Sequence, residues 1–227
     1  MEWDEFRRLC VLRAVQHVPV QYLVGEWDFY GLSLEMKPPT LIPRPETEEL
    51  VEIILKWLRR DVVGSVASGI RFLDVGSGTG AIGLALLNEL PSGVRCIAVD
   101  TQESAVMLSR RNAERTGLHA RYTCFHADVA DLEGSLGEQG AGGGFGFDGS
   151  FDFIVSNPPY IPRKDMEALP RDVADHEDSV ALDGGEDGLD VIRDIVRLSP
   201  RLLRRGGPRQ LWMEVDSSHP EAMQRWL

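Results

Sequence analysis

From residue 70 onward the chain repeats one pattern: a short apolar run, a turn rich in glycine or aspartate, then a run of helical period. Arg71 to Val75 reads as a strand and Ala81 to Leu90 as a helix. Val94 to Val99 is the next strand, and Ser104 to Thr116 the next helix, closed by Gly117. Tyr122 to His126 and Phe151 to Ser156 follow as strands, the latter largely apolar, as expected of a strand buried on both faces. Leu189 to Leu203 reads as a helix, Leu211 to Val215 as a strand, and Pro220 to Leu227 as the start of a further helix. Alternating units of this length predict an α/β fold, with a mostly parallel sheet covered by helices on both faces.

The segment before this repeat is different. Residues 1–20 read as the end of a helix that stops near His17-Val18-Pro19. Residues 22–36 read as a β-hairpin, with Trp27, Phe29, Leu32 and Leu34 as its apolar positions and Tyr30-Gly31 as its turn. Pro45 suits the first turn of a helix, and Glu46 and Glu48 complement its dipole. That helix carries Leu50, Val51, Ile54, Leu55 and Leu58 on one face. Between Leu132 and Ser150 lie eight glycines, a composition read as a mobile surface insert.

Composition removes several classes of function. The longest apolar stretch, Ala81 to Leu87, is far too short to span a bilayer. Met1 to Arg13 mixes acids and bases without a signal-peptide core, which argues against secretion. The three cysteines, Cys10, Cys96 and Cys124, form no C-x-x-C pair. That spacing argues against a disulfide framework or a metal site, and Cys96 and Cys124 read as buried thiols. A net charge of −12 argues against gripping duplex nucleic acid through phosphates. Arg110-Arg111 and Arg201 with Arg204-Arg205 read as solvated helix faces.

The first strand of the repeat runs into Asp74-Val75-Gly76-Ser77-Gly78-Thr79-Gly80, and a helix follows at once. Glycines there let the backbone turn sharply and approach a ligand closely. The glycine pattern alone also fits a dinucleotide loop. Three acids separate the choices. Asp74 on the first strand is placed to hold a cationic amino-acid group through the loop. Asp100, at the end of the next strand, can accept both hydroxyls of a ribose. Asp128, after the third strand, can accept from an adenine amino group, with Val129 beside it. A nucleoside with an ammonium, a sulfonium and no phosphate suits three acids; a pyrophosphate does not. S-adenosylmethionine is that nucleoside. The plainer alternative is that each acid caps the helix after it.

The fourth strand ends in Asn157-Pro158-Pro159-Tyr160. Two prolines stiffen the loop and remove two N–H donors. The carbonyls of Asn157 and Pro158, and the Asn157 side-chain oxygen, are then available to accept both hydrogens of a planar NH2 group, with Tyr160 against its face. Such nitrogens are poor nucleophiles because their lone pair is delocalised. Accepting both hydrogens returns electron density to the nitrogen and aims it. The alternative is a proline turn that merely ends a strand.

These residues resemble the class I S-adenosylmethionine-dependent methyltransferases, whose fold is Rossmann-like. Within that class the chain resembles the HemK/PrmC family, protein-(glutamine) methyltransferases of peptide-chain release factors, and is most similar to its animal mitochondrial branch. The resemblance spans residues 17–227 and rests on Pro19 to Gly25, Leu41 to Glu48, Ile154 to Ile161 and Ala181 to Gly188, besides the glycine loop. It implies N5-methylation of the glutamine in a Gly-Gly-Gln loop and a role in translation termination. It also implies a cofactor site at Asp74, Gly76, Ser77, Gly78, Thr79, Gly80, Asp100, Asp128, Val129 and Asn157. Asn157, Pro158 and Tyr160 are the implied catalytic residues, and Asn157 to Tyr160 hold the glutamine. Arg44 is placed to steer the substrate loop, or else forms an ordinary ion pair.

The resemblance further implies that residues 1–40 are the remnant of a helical recognition domain plus the hairpin, and that residues 41–227 are the catalytic domain. Two further strands are expected beyond Leu227, so the chain reads as C-terminally truncated. A monomer in the mitochondrial matrix is implied, with the cytoplasm as alternative. Three other functions stay open: an adenine methyltransferase of DNA or RNA, an inactive S-adenosylmethionine-binding module, and a dehydrogenase.

Overall fold

The computed structural model describes residues 3–62, 69–129, 132, 147 and 149–225. The chain begins with two helices, α1 (Trp3–Gln16) and α2 (Val20–Val24). The second corrects the expected hairpin boundary. Leu23 N donates to Pro19 O at 3.2 Å and Gly25 N to Gln21 O at 2.9 Å, so Tyr22 to Val24 close a helical turn and the strand starts later. The hairpin pairs β1 (Glu26–Phe29) with β2 (Leu32–Glu35), antiparallel. Its turn residues Tyr30 and Gly31 have φ of 46° and 79°. A two-residue turn of that hand matches the twist of the flanking strands. Phe29, Leu32 and Leu34 are buried, whereas Trp27, at the open end of the same face, is 40% exposed.

Helix α3 (Pro45–Trp57) buries Leu50, Val51, Ile54 and Leu55, the expected stripe, with Thr47 on the same stripe. The main sheet contains β3 (Arg71–Val75), β4 (Arg95–Asp100), β5 (Tyr122–His126), β6 (Phe153–Ser156) and β7 (Gln210–Met213). Their order is β5-β4-β3-β6-β7, and every neighbouring pair is parallel. Helices α4 (Ala81–Glu89) and α5 (Glu103–Arg115) follow β3 and β4, as the alternation predicts.

The fourth strand of the repeat starts later than expected. Asp152 turns its carboxylate onto Arg71 N (2.9 Å) and the Arg204 guanidinium (3.3 Å), and Phe151 makes only a single bridge to Leu203. The last helical segment is His219–Met223, and the expected end at residues 226–227 lies outside the described residues.

The central strands β3 and β6 bury both faces. Phe72, Phe153 and Val155 meet α3, α4 and the hairpin in one cluster. Leu73, Val75 and Ile154 meet Ile195, Leu198 and Leu202 of the helix Asp190–Leu202 in the other. Phe72 and Phe153 stack with centroids 4.8 Å apart across the β3–β6 pair. The hairpin is joined to the sheet by Asn112. Its fully buried side chain accepts from Glu35 N (2.7 Å) and donates to Glu35 O (3.1 Å) and Thr79 O (2.9 Å). Most of the expected glycine-rich insert lies outside the described residues. Its described members Leu132 and Phe147 are buried in the second cluster, which corrects the reading of the whole stretch as surface.

One glycine tests how tightly α4 sits on the sheet. A Cβ on Gly83 would lie 2.8 Å from Asp74 Oδ2 and 3.0 Å from both Cys96 Sγ and Tyr122. Gly83→Ala is therefore expected to destabilise the fold by about 1–3 kcal/mol, despite alanine's better helix propensity. Urea denaturation checks this.

The strand order fixes where a ligand can sit. From β3 the chain builds β4 and β5 to one side, then crosses to place β6 on the other. The crevice outside the carboxyl ends of β3 and β6 is thus the topological switch point, where open α/β sheets bind ligands.

Candidate functional site

Two loops meet at that crevice. Val75 and Ser156 are register partners, so the glycine loop after β3 and the proline loop after β6 leave the sheet side by side. Gly76 N and Ser77 N both donate to Val99 O, at 2.9 and 3.1 Å, which bends the chain across β4. Gly76 has φ of 72°, and a Cβ there would approach the Asn157 carbonyl at 3.6 Å. The two loops are in contact.

Asp100 closes the loop from the far side. Its Oδ2 accepts from Gly78 N at 2.8 Å and its Oδ1 from Gln102 N at 2.9 Å. Each carboxylate oxygen keeps a second lone pair for a ligand hydroxyl. Burial pushes the Asp100 pKa up, and the two N–H donors oppose that shift.

A cavity opens above these groups. Gly76, Gly78, Asp100, Asp128, Val129, Asn157, Pro158 and Pro159 all line it, as the sequence predicted. Other predicted residues stand behind the wall. Asp74 is fully buried, and its Oδ2 accepts from Gly83 N at 3.1 Å. It lies beneath the glycine loop and does not line the cavity. Ser77 faces Cys124 Sγ at 3.3 Å, and the Thr79 carbonyl is taken by Asn112. Gly80 precedes α4 as its N-cap, packed against Leu84, Ser109 and Tyr122. These three shape the loop from below and do not line the cavity.

Tyr160 and Arg44 also lie off the cavity wall. The Tyr160 hydroxyl donates to Glu214 Oε1 at 3.3 Å. Arg44 Nη2 meets both oxygens of Glu177 at 2.8 Å, and the Glu177 side chain is 1% exposed. Glu177 also accepts from Ile42 N at 3.3 Å. Arg44 is therefore an ion-pair partner that fastens the Leu41–Arg44 turn to the 170s segment, so substrate steering gives way to the alternative reading.

Sequence reasoning missed the opposite wall. Thr40 and Leu41 line it, together with Asp178, Val180, Ala181 and Asp183. It also missed Thr47 and Glu214. Thr47 Oγ1 donates to Glu214 Oε2 at 2.7 Å and accepts from Asn157 Nδ2 at 3.3 Å. Thr47 did carry a signal, since it is a polar residue on an otherwise apolar helix stripe.

Asp100, Asp128, Asp178 and Asp183 line the cavity, and no Arg, Lys or His is among its described lining residues. A wall of that charge repels phosphate and favours a cation. These donors and acceptors fit S-adenosylmethionine: carboxylates for a ribose and an ammonium, a glycine loop without a Cβ to approach, and no cationic group to repel a sulfonium.

Comparison with known proteins agrees with this geometry. Residues 52–173 match the model of the methyltransferase small domain, more than half of the chain. The chain belongs to that family. It is 48% identical over 217 residues to the MTRF1L release factor glutamine methyltransferase of Homo sapiens, covering 95% of this chain and 61% of that protein. It is 41% identical over 206 residues to the release factor glutamine methyltransferase of Geobacter sulfurreducens, covering 91% and 63%. The chain thus spans about six tenths of the length of these family members.

Among solved structures, the hMettl16 catalytic domain bound to a MAT2A 3′UTR hairpin superposes with a TM-score of 0.56 at 16% identity. It covers 97% of this chain and 69% of that one, which establishes shared fold alone. The fold is that of the class I S-adenosylmethionine-dependent methyltransferases. Among the described residues, no helix is long and apolar enough to cross a membrane.

Proposed function

We propose that this family member transfers a methyl group from S-adenosylmethionine to the side-chain nitrogen of glutamine in a Gly-Gly-Gln loop of a peptide-chain release factor. The observation that carries the reading is the meeting of an acid-walled cavity, whose described lining holds no Arg, Lys or His, with Asn157-Pro158-Pro159 at the sheet's switch point. The names of the similar human and bacterial proteins supply the substrate class.

In this reading the loop from Gly76 to Gly80, with Asp100, Asp128, Val129 and Asn157, holds the cofactor, and Asp74 acts from beneath. The cofactor supplies, when bound, an electrophilic methyl group on a sulfonium. The chain's own part concerns the nucleophile. Asn157 Oδ1 and the Pro158 carbonyl accept the two amide hydrogens, which localises the nitrogen lone pair. Pro159 and Tyr160 flank the flat amide. Fixing nitrogen and methyl in one line lowers the barrier by removing orientational freedom. The extra proton leaves to water after transfer, so no strong base is needed.

We place the protein in the mitochondrial matrix, as a monomer with the release factor as its protein partner. We assign residues 1–40 to a recognition segment joined to the hairpin, and residues 41–227 to catalysis. Exposed Trp3 and Val15 on α1 support a recognition role. The net charge of −12 disfavours duplex nucleic acid as substrate.

The test is methyl transfer from labelled S-adenosylmethionine to a release factor, with the loop glutamine present or replaced by alanine. Label on the glutamine form alone is expected. Label that survives the replacement, or that goes to an adenine-containing RNA or DNA instead, overturns the assignment.

A further inference from the structure

We infer that Thr47 and Glu214 are positioning residues which decide the atom of the Asn157 amide that faces the cavity. The two ends of an asparagine amide have nearly the same shape, so packing alone does not choose between them. Their chemistry is opposite: Oδ1 accepts and Nδ2 donates. An NH2 substrate needs the acceptor. Facing Nδ2 instead, it would meet a donor with a donor.

The choice is made by a directed chain of hydrogen bonds. A carboxylate only accepts. Glu214 Oε2 takes the Thr47 hydroxyl hydrogen at 2.7 Å, and Oε1 takes the Tyr160 hydroxyl hydrogen at 3.3 Å. With its one hydrogen committed to Glu214, Thr47 Oγ1 can only accept from Asn157. It accepts from Nδ2 at 3.3 Å, which turns Oδ1 the other way.

Each member sits on a fixed element. Thr47 lies in the first turn of α3, after Pro45, and is 2% exposed. Glu214 directly follows β7, and its N–H donates to Ser156 O at 3.0 Å, beside Asn157. The same carboxylate also anchors Tyr160, so it braces both ends of the proline loop. The block from Pro43 to Glu48 thus acts on the reacting loop through Thr47, while Arg44 pairs with Glu177.

The kinetic part of this inference rests on the amide-methylation reading; the spectroscopic part does not. Thr47→Val keeps the shape of the side chain and removes the hydroxyl. It is expected to lower kcat for a Gly-Gly-Gln peptide by about tenfold or more, with the Kd for S-adenosylhomocysteine changed by less than about twofold. Thr47→Ser, which keeps the hydroxyl, restores most of the loss. Glu214→Gln is isosteric and lets the Thr47 hydroxyl run in either direction, so a smaller loss, about threefold, is expected with the same Kd.

In the full chain labelled with nitrogen-15, the Asn157 side-chain amide resonance shifts in Thr47→Val and returns in Thr47→Ser. Glu214→Gln moves it without unfolding the chain, so the reading survives even if the buried valine variant fails to fold. An Asn157 resonance unmoved in either variant overturns the inference. So does a loss of kcat matched by an equal loss of cofactor affinity. If the wild-type chain itself methylates no peptide, the proposed function fails, while the resonance still decides the orientation.

Discussion

Asn157→Ala lowers kcat for methyl transfer by about 10²- to 10³-fold, the usual cost of deleting one prearranged polar group at a reacting centre. The side-chain amide is lost, both its oxygen at the reacting centre and its Nδ2 bond to Thr47. The backbone carbonyls stay, because the two prolines and the register of β6 with β3 hold the loop. Cofactor affinity falls much less, since Asp100 and the glycine loop keep their own bonds. The expected signature is therefore a loss in kcat with a near-constant Kd for S-adenosylhomocysteine. Single-turnover transfer of labelled methyl, beside calorimetry with the spent cofactor, separates the two. A kcat within about threefold of wild type would remove Asn157 from catalysis.

The second large effect concerns stability. Asp74 is fully buried, and its Oδ1 has no hydrogen-bond partner among the described residues. Burial raises its pKa to about 7, against the opposing pull of the Gly83 N–H. An unfolded aspartate titrates near about 3.9. Between these values the folded chain holds a proton that the unfolded chain has released. Raising the pH in that window favours the unfolded state, so stability falls from about pH 4 to about pH 7 and then levels.

The size of the loss is on the order of a few kcal/mol, the free energy of holding the proton to about pH 7 when the unfolded chain releases it at about pH 4. Asp74→Asn carries no charge at any pH and keeps an oxygen for Gly83 N. It should remove this slope and make the chain more stable than wild type at pH 8, while matching it near pH 4. Urea midpoints at pH 4, 6 and 8 check the claim. Parallel slopes in the two proteins would show that Asp74 does not hold the proton.

Much of the sheet was legible because β3 and β6 are buried on both faces, so their apolar runs carry no ambiguity of register. The cofactor crevice was legible for a related reason: Gly76 and Asn157 directly follow strands, and Asp100 is the last residue of one. What was not legible depends on pairs far apart in sequence. Arg44 meets Glu177 across 133 residues, and Thr47 meets Glu214 across 167. No local period encodes such a pair. Residues 22–24 of the short helix α2 were taken into the hairpin because Tyr22 and Val24 favour β structure, whereas Pro19 ahead of the helix and Gly25 behind it set a helical turn. Asp74 and Asp100 looked alike in the sequence. They share a face of the sheet but differ in depth: Asp74 lies inside β3, where α4 covers it and Gly83 N donates to it, whereas Asp100 is the last residue of β4, at the rim of the glycine loop.

The most direct test is a crystal structure of the chain with S-adenosylhomocysteine and a Gly-Gly-Gln peptide. The glutamine side-chain nitrogen is predicted within about 3.2 Å of both Asn157 Oδ1 and the Pro158 carbonyl, with its lone pair toward the sulfur. A glutamine amide bound away from this loop, or met there by Asn157 Nδ2, would contradict the account.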